Sequence, residues 1–178
     1  MDIKDIYNDL LSYDIETGNL FWKFRDRKWF DCEAEFKRWN GRFPGKRALT
    51  GDNGKGYKVG AILSKRVSSH RVVWEMHFGK IPEGMQIDHV NGVRDDNRIE
   101  NLRLVTCSQN NKNRKAQKTS TGKMGVHFRR DNSMWRAIIS HEGNCMRLGQ
   151  YKTYEEAVLA REAAEVSLGY HSNHGRIT

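Results

Sequence analysis

The run Ile87-Asp88-His89-Val90-Asn91-Gly92 sets a carboxylate beside an imidazole, and Asn97, Asn101, Asn110, Asn111 and Asn113 follow closely. Those residue types suit the hydrolysis of a phosphodiester. The reaction needs a divalent cation to offset charge on the phosphate, and a base to draw a proton from water. An imidazole does the second job near neutral pH. Magnesium takes oxygen ligands and retains several waters, so one carboxylate and one amide oxygen can hold it. Asp88 offers the carboxylate and Asn110 the amide oxygen, while Asn101 or Asn97 could accept a bond from His89 and fix its tautomer. One obstacle is geometric: neighbours on an ideal strand point to opposite faces, so a bulge or twist must let Asp88 and His89 serve one phosphate. The plainer reading of these residues is turns and caps. Asn91 suits a turn, Asn111 and Asn113 suit solvent, and His70 and His77 suit structural hydrogen bonds or a phosphate contact.

The elements that must position this set can be read locally. Met85 to Val90 has strand composition, Asn91-Gly92 is a turn dipeptide, and Val93 to Asn101 is a polar loop. Leu102 to Val105 forms a second short strand. Thr106 and Gln109 have the spacing of a capping box, which starts a helix at Cys107 and carries Asn110 into its second turn. The unit is strand, long loop, strand, helix. A basic exit, Lys112 to Lys118, follows it.

Upstream, Ile3, Ile6, Tyr7, Leu10 and Leu11 are spaced for a short helix. Thr17-Gly18-Asn19 reads as a turn and Leu20 to Phe24 as a strand. Arg25 to Arg47 interleaves cations with Trp29, Phe36 and Trp39. It is either a surface for stacking bases and pairing phosphates or an ordinary amphipathic helix. Tyr57, Val59, Ala61 and Leu63 alternate as a half-buried strand, Ser64-Lys65-Arg66 suits a hairpin tip, and Val72 to His77 fits a helix. Downstream, Gly125 to Arg129, Trp135 to Ser140 and Cys145 to Gly149 read as three strands. A second capping box, Thr153 to Glu156, opens a helix that closes at Gly169 and carries Tyr154, Ala157, Ala160, Ala164 and Leu168 on one face. The expected organisation is a basic-aromatic N-terminal region over 1–50, the strand–loop–strand–helix domain over 51–118, and a separate module over 119–178.

Totals narrow the partners. Lys and Arg outnumber Asp and Glu by 31 to 22 in 178 residues, for a net charge of +9, which favours a polyanion and nucleic acid above an anionic membrane surface. Three scattered cysteines, Cys32, Cys107 and Cys145, support neither a disulfide framework nor a zinc knuckle. The N-terminus lacks the basic start and apolar run of a signal peptide, and no apolar stretch is long enough to span a membrane. A cytoplasmic protein is expected.

His70-Arg71-Val72-Val73-Trp74, Ile81-Pro82-Glu83-Gly84, Ile87 to Gly92 and Asp95 to Arg103 together resemble the HNH endonucleases of phages and mobile introns. The resemblance implies an α+β chain containing a ββα-metal unit. It makes Asp88 a metal ligand, His89 the general base, Asn101 the residue that orients His89, and Asn110 the second metal ligand, with Asn97 supporting the loop. Many of these enzymes have histidine at the last position. Asparagine there points to Mg2+ or Mn2+ and away from zinc. Gly125-Val126, Trp135-Arg136-Ala137, Arg147 to Tyr151 and Glu155-Glu156-Ala157 are similar to the AP2 DNA-binding domain, a three-stranded antiparallel sheet with one packed helix. That likeness implies Arg129, Trp135, Arg136 and Arg147 as contacts to double-stranded DNA, and leaves His127 as a weaker match. The implied protein is a monomeric, metal-dependent DNA endonuclease that nicks one strand, in a bacterial host cell if phage-encoded, with no membrane or protein partner implied. A non-catalytic DNA-binding regulator and an RNA-directed nuclease are the alternatives.

Overall fold

A computed structural model describes residues 2–111, 121–141 and 143–170. The expected basic exit at Lys112 to Lys118 lies outside the described residues. The chain divides into two compact units, residues 1–105 and 106–178.

In the first unit, helix α1 (Ile3–Leu10) is capped by the Asp2 carboxylate and runs into the hairpin β1 (Leu11–Asp14) and β2 (Asn19–Trp22). A 3-10 turn at Arg27–Trp29 and helix α2 (Glu33–Asn40) come next. Strands β3 (Gly51–Asp52), β4 (Lys58–Ile62) and β5 (Lys65–Ser68) make an antiparallel sheet in the order β3-β4-β5. The β4–β5 turn falls on Leu63 and Ser64, both at positive φ, one residue earlier than the expected tip. Helix α3 (Ser69–Phe78) begins before Val72 and takes His70 into its first turn. The sequence then supplies β6 (Met85–His89), a loop ending in a 3-10 turn at Ile99–Asn101, and β7 (Leu102–Thr106), which pairs with β6 in a two-stranded sheet.

One apolar cluster joins these parts. Tyr7, Leu10, Leu11 and Leu20 are buried with Val72, Val73, Ile87 and Leu102. Residues from the first fifty thus share a core with the strands and helix that follow.

The second unit opens with α4 (Cys107–Asn111). Its capping box is formed: Thr106 N–H donates to Gln109 Oε1 at 2.8 Å and Gln109 N–H donates to Thr106 Oγ1 at 3.2 Å. Strands β8 (Val126–Arg129), β9 (Met134–His141) and β10 (Asn144–Tyr151) form an antiparallel sheet in the order β10-β9-β8, with a bulge between Arg147 and Gly149. Helix α5 (Tyr154–Ser167) begins at the formed Thr153–Glu156 box and buries Ala157 against Val126 and Ala137. Arg161 is buried on the same helix, donating from Nε to Glu165 at 2.9 Å and from a guanidinium N–H to the Ile138 carbonyl. A side chain at Gly125, which sits at φ +79°, would collide with that guanidinium, 2.6 Å from its Cβ position.

Candidate functional site

His89 ends β6 and is 3% exposed. Its Nε2 lies 3.1 Å from the Oδ1 of Asn97, itself 4% exposed, so the hydrogen bond is sheltered from water. With an amide oxygen as acceptor, Nε2 carries the hydrogen and the basic lone pair stays on Nδ1. Burial pushes the His89 pKa below the ordinary histidine value, outweighing Asn97 and the carboxylates of Asp88, Asp96 and Asp95, which raise it. The imidazole is accordingly neutral, and able to accept a proton, at neutral pH.

The loop that supplies Asn97 is closed by Asn101. Its Nδ2 donates to Asn91 Oδ1 at 3.0 Å and to the Asp96 carbonyl at 2.8 Å, and its Oδ1 accepts from Asn91 N–H at 2.9 Å. The resemblance assigned the orientation of His89 to Asn101. In the structure Asn97 makes that bond, and both ends of the Asn101 amide are engaged within the loop. The reason is one of reach: Asn101 enters β7 from the 3-10 turn and its short side chain faces the Asn91 turn, whereas Asn97 sits mid-loop above the ring.

Two further braces come from the N-terminal hairpin. The Tyr13 hydroxyl accepts from Ile99 N–H at 2.8 Å and donates to the Asn97 carbonyl at 3.3 Å. Gly18, at φ +71°, packs so close that a Cβ there would stand 2.6 Å from the Asn97 carbonyl carbon. The loop is also tied by charge. Asp96 takes Arg98 Nε and Nη2 at 2.8 Å each, which holds the Asp96 carboxyl down at about 2.

Asp88 sits between the buried Ile87 and His89 and is itself partly buried. Its Oδ2 accepts from Arg103 Nε at 3.0 Å and Nη2 at 2.8 Å across the β6–β7 pair. Asn110 is on α4, which belongs to the second unit. The structure therefore brings Asn97 to His89, Asn91 to Asn101, and Arg103 to Asp88. Arg103 was not singled out from the sequence, where it reads as one more cation in a basic chain.

His70, read from the sequence as a structural hydrogen-bonding residue or a phosphate contact, stands beside His89. It is buried, its ring centroid is 5.2 Å from that of His89, and Tyr57 lies 5.1 Å and 5.9 Å from the two imidazoles. Its Nδ1 has no hydrogen-bond partner among the described residues. Burial first, then the neighbouring His89 and Arg71, push its pKa down to about 3. A neutral His70 thus walls the His89 side without adding charge.

In the second unit, cross-strand pairing puts His127, Arg136 and Gln150 in one row, with Arg147 opposite Ile138 and Arg129 opposite Met134. These residues lie on the sheet face away from the buried Ala137 and Ile139. Trp135 is in phase with Ala137, and its ring packs against Tyr154 of α5 at 4.9 Å. The two-residue period thus turns Trp135 toward the helix, whereas the other residues expected to contact DNA lie on the opposite face. Arg129 is paired with Asp131, and Arg147 is exposed.

Comparison with known proteins bears on the first site. Residues 67–112 match a family model described as HNH endonuclease, so an HNH endonuclease domain occupies the segment containing His89 and Asp88. The chain is 37% identical over 75 residues to Protein 3.8 of Escherichia phage T7, a match covering 42% of this chain and 62% of that protein. It is 32% identical over 103 residues to an uncharacterized HNH endonuclease of Acanthamoeba polyphaga mimivirus, covering 57% of this chain and 52% of the relative. The chain thus spans between half and two thirds of the length of these relatives. No solved structure matches. Among the described residues no cluster of three His, Cys, Asp or Glu side chains forms a metal site, and no helix is long and apolar enough to cross a membrane.

Proposed function

We propose that this protein is a metal-dependent DNA endonuclease in which His89 is the general base. The observation that carries the reading is the buried His89–Asn97 pair at 3.1 Å within the matched segment, which leaves the lone pair on Nδ1 and the ring neutral at neutral pH. His89 Nδ1 takes the proton from the attacking water, and Asn97 Oδ1 steadies the imidazolium that results. Asn101 is a positioning residue that acts through the loop.

The donors fit a hard cation. Asp88 already has a cation beside it, Arg103 at 2.8 Å, and the second ligand implied by the resemblance, Asn110, adds another oxygen donor. Asp88 and Asn110 would hold Mg2+ or Mn2+, which when bound offsets charge on the phosphate and the leaving oxygen. Duplex DNA is the proposed substrate, gripped by the open face of the AP2-like sheet through Arg129, Arg136 and Arg147, with His127 beside them. One such site attacks one phosphodiester, so a monomer nicks.

The test is nicking of supercoiled plasmid with magnesium. Wild type should convert it to open circles, EDTA should stop the reaction, and His89→Ala should be inactive while still retarding DNA in a gel. Wild-type rates from His89→Ala would sink the mechanism, and an RNA transcript cut faster than plasmid would sink the substrate.

A further inference from the structure

The basic-aromatic segment is not absorbed by this reading. Helix α2 carries Phe36 and Trp39, yet none of its residues is buried. Phe24 is 64% exposed, and Phe30, Phe36, Trp39 and Phe43 are all half-open, while the unit's buried core contains none of the five. The rings are nevertheless held in place. Asn40 Nδ2 donates to the Arg25 carbonyl and its Oδ1 accepts from Arg25 N–H, both at 2.9 Å, which pins the helix end. The buried Arg25 guanidinium then lies 3.8 Å from the Trp39 ring centroid and 4.8 Å from that of Trp22. Phe43 stands 5.1 Å from Trp39, and Phe30 6.1 Å.

Trp39, Phe30 and Phe43 wall a cleft of about 260 Å³ whose remaining lining is Arg38, Arg42 and Glu35. Both arginines are exposed; Arg38 meets Glu35 only at 4.0 Å, and Arg42 lies 5.2 Å over the Phe43 ring. Flat apolar walls select a flat apolar ligand, and cations on the rim select a negative one. A nucleotide has both properties. In duplex DNA the base faces are covered by their stacked neighbours, so only an unpaired base can enter.

We propose that the cleft between α2 and Phe43 is a stacking site for one base of single-stranded DNA, with Arg38 and Arg42 on the flanking phosphates. The site acts in binding and does not depend on cleavage chemistry, so it stands or falls apart from the endonuclease reading.

The experiment is a fluorescence-anisotropy titration of the full chain, in EDTA, with a labelled short oligothymidylate and an abasic oligomer of equal phosphate number. One stacked base should make the oligothymidylate bind about 5- to 100-fold tighter than the abasic strand. Phe43→Ala should erase that ratio while leaving abasic affinity in place, and Phe43→Trp should keep it, with circular dichroism showing both variants folded. Equal binding of the two strands would overturn the proposal, as would a ratio that survives Phe43→Ala or is lost in folded Phe43→Trp. So would displacement of the oligothymidylate from this cleft by an acidic, tryptophan-containing peptide at equal concentration, which would assign the cleft to a protein partner.

Discussion

Replacing Asn97 by alanine tests the arrangement around His89 most directly. The side chain of Asn97 is buried and its Oδ1 is 3.1 Å from His89 Nε2. Truncation removes the acceptor that holds the ring hydrogen on Nε2, so a buried N–H loses its bond to Asn97. Leaving a buried polar group unpaired costs about 1–3 kcal/mol. If that loss falls on the transition state, where the ring becomes charged and needs the bond more, single-turnover nicking slows by roughly 5- to 150-fold. Asn97→Asp should separate bonding from bulk. A carboxylate accepts the same hydrogen bond but adds negative charge, so it must raise the His89 pKa from its lowered position. The acid limb of the pH–rate profile, below the ordinary histidine value in the wild type, should move to higher pH. Asn101→Ala should behave differently, lowering the melting temperature through three lost bonds and slowing nicking while moving that limb less than Asn97→Asp does. A folded Asn97→Ala enzyme that nicks within about twofold of wild type would refute the reasoning, as would an acid limb that follows Asn101 and ignores Asn97.

Arg103→Ala removes the cation at 2.8 Å from Asp88 Oδ2, leaving a largely buried carboxylate without that compensation. The metal-free protein should melt lower and gain more from Mn2+ than wild type does, and equal Mn2+-induced shifts would show that the two cations do not share the carboxylate. His70 binds no proton in the folded state until about pH 3, whereas the unfolded chain takes one near the ordinary histidine value. Stability is therefore lost as pH falls between those limits, by about 2 kcal/mol on going from pH 7 to pH 5. Urea unfolding of His70→Phe should lack that share, and an unchanged pH dependence would contradict it. In the second unit, Arg161→Met takes the guanidinium away from Glu165, which keeps Lys123 at 3.5 Å, and from the Ile138 carbonyl. Thermal melting should show a loss of about 3 kcal/mol, and an unaltered melt would mean that the buried guanidinium contributes nothing net.

Features decided by neighbours in sequence were the ones legible beforehand. The boxes at Thr106–Gln109 and Thr153–Glu156 both formed, because each needs only four consecutive residues. The β6–loop–β7–α4 order was readable for the same reason. Features decided by packing were not. The β4–β5 turn sits on Leu63 and Ser64, neither of which advertises positive φ. Helix α3 likewise begins at Ser69, which puts His70 in its first turn and beside His89. Asn97 and Asn101 have the same side chain, and only the closed loop distinguishes the one that reaches the imidazole. Trp135 looked like a surface ring until its phase with Ala137 turned it to α5. Arg25 and Arg161 are buried against the usual expectation for arginine, each with at least one partner well removed in sequence, Trp39 and Ile138.

The balance of forces at His89 explains why the loop is so heavily cross-linked. Three carboxylates raise its pKa and burial lowers it, and burial prevails. Burial prevails only while the loop stays closed, since opening it would admit water and weaken the desolvation that keeps the ring neutral. Asn101, Tyr13 and the Asp96–Arg98 pair each close the loop without presenting an unneutralised charge to the imidazole. Arg103 has the corresponding effect at Asp88, offsetting that carboxylate's charge with its own. A cation taken up by Asp88 would weaken the same raising influence further, so metal uptake and a neutral His89 favour each other. By reciprocity, protonating His89 must disfavour the metal, and the affinity for Mn2+ should fall along the same acid limb that ends catalysis.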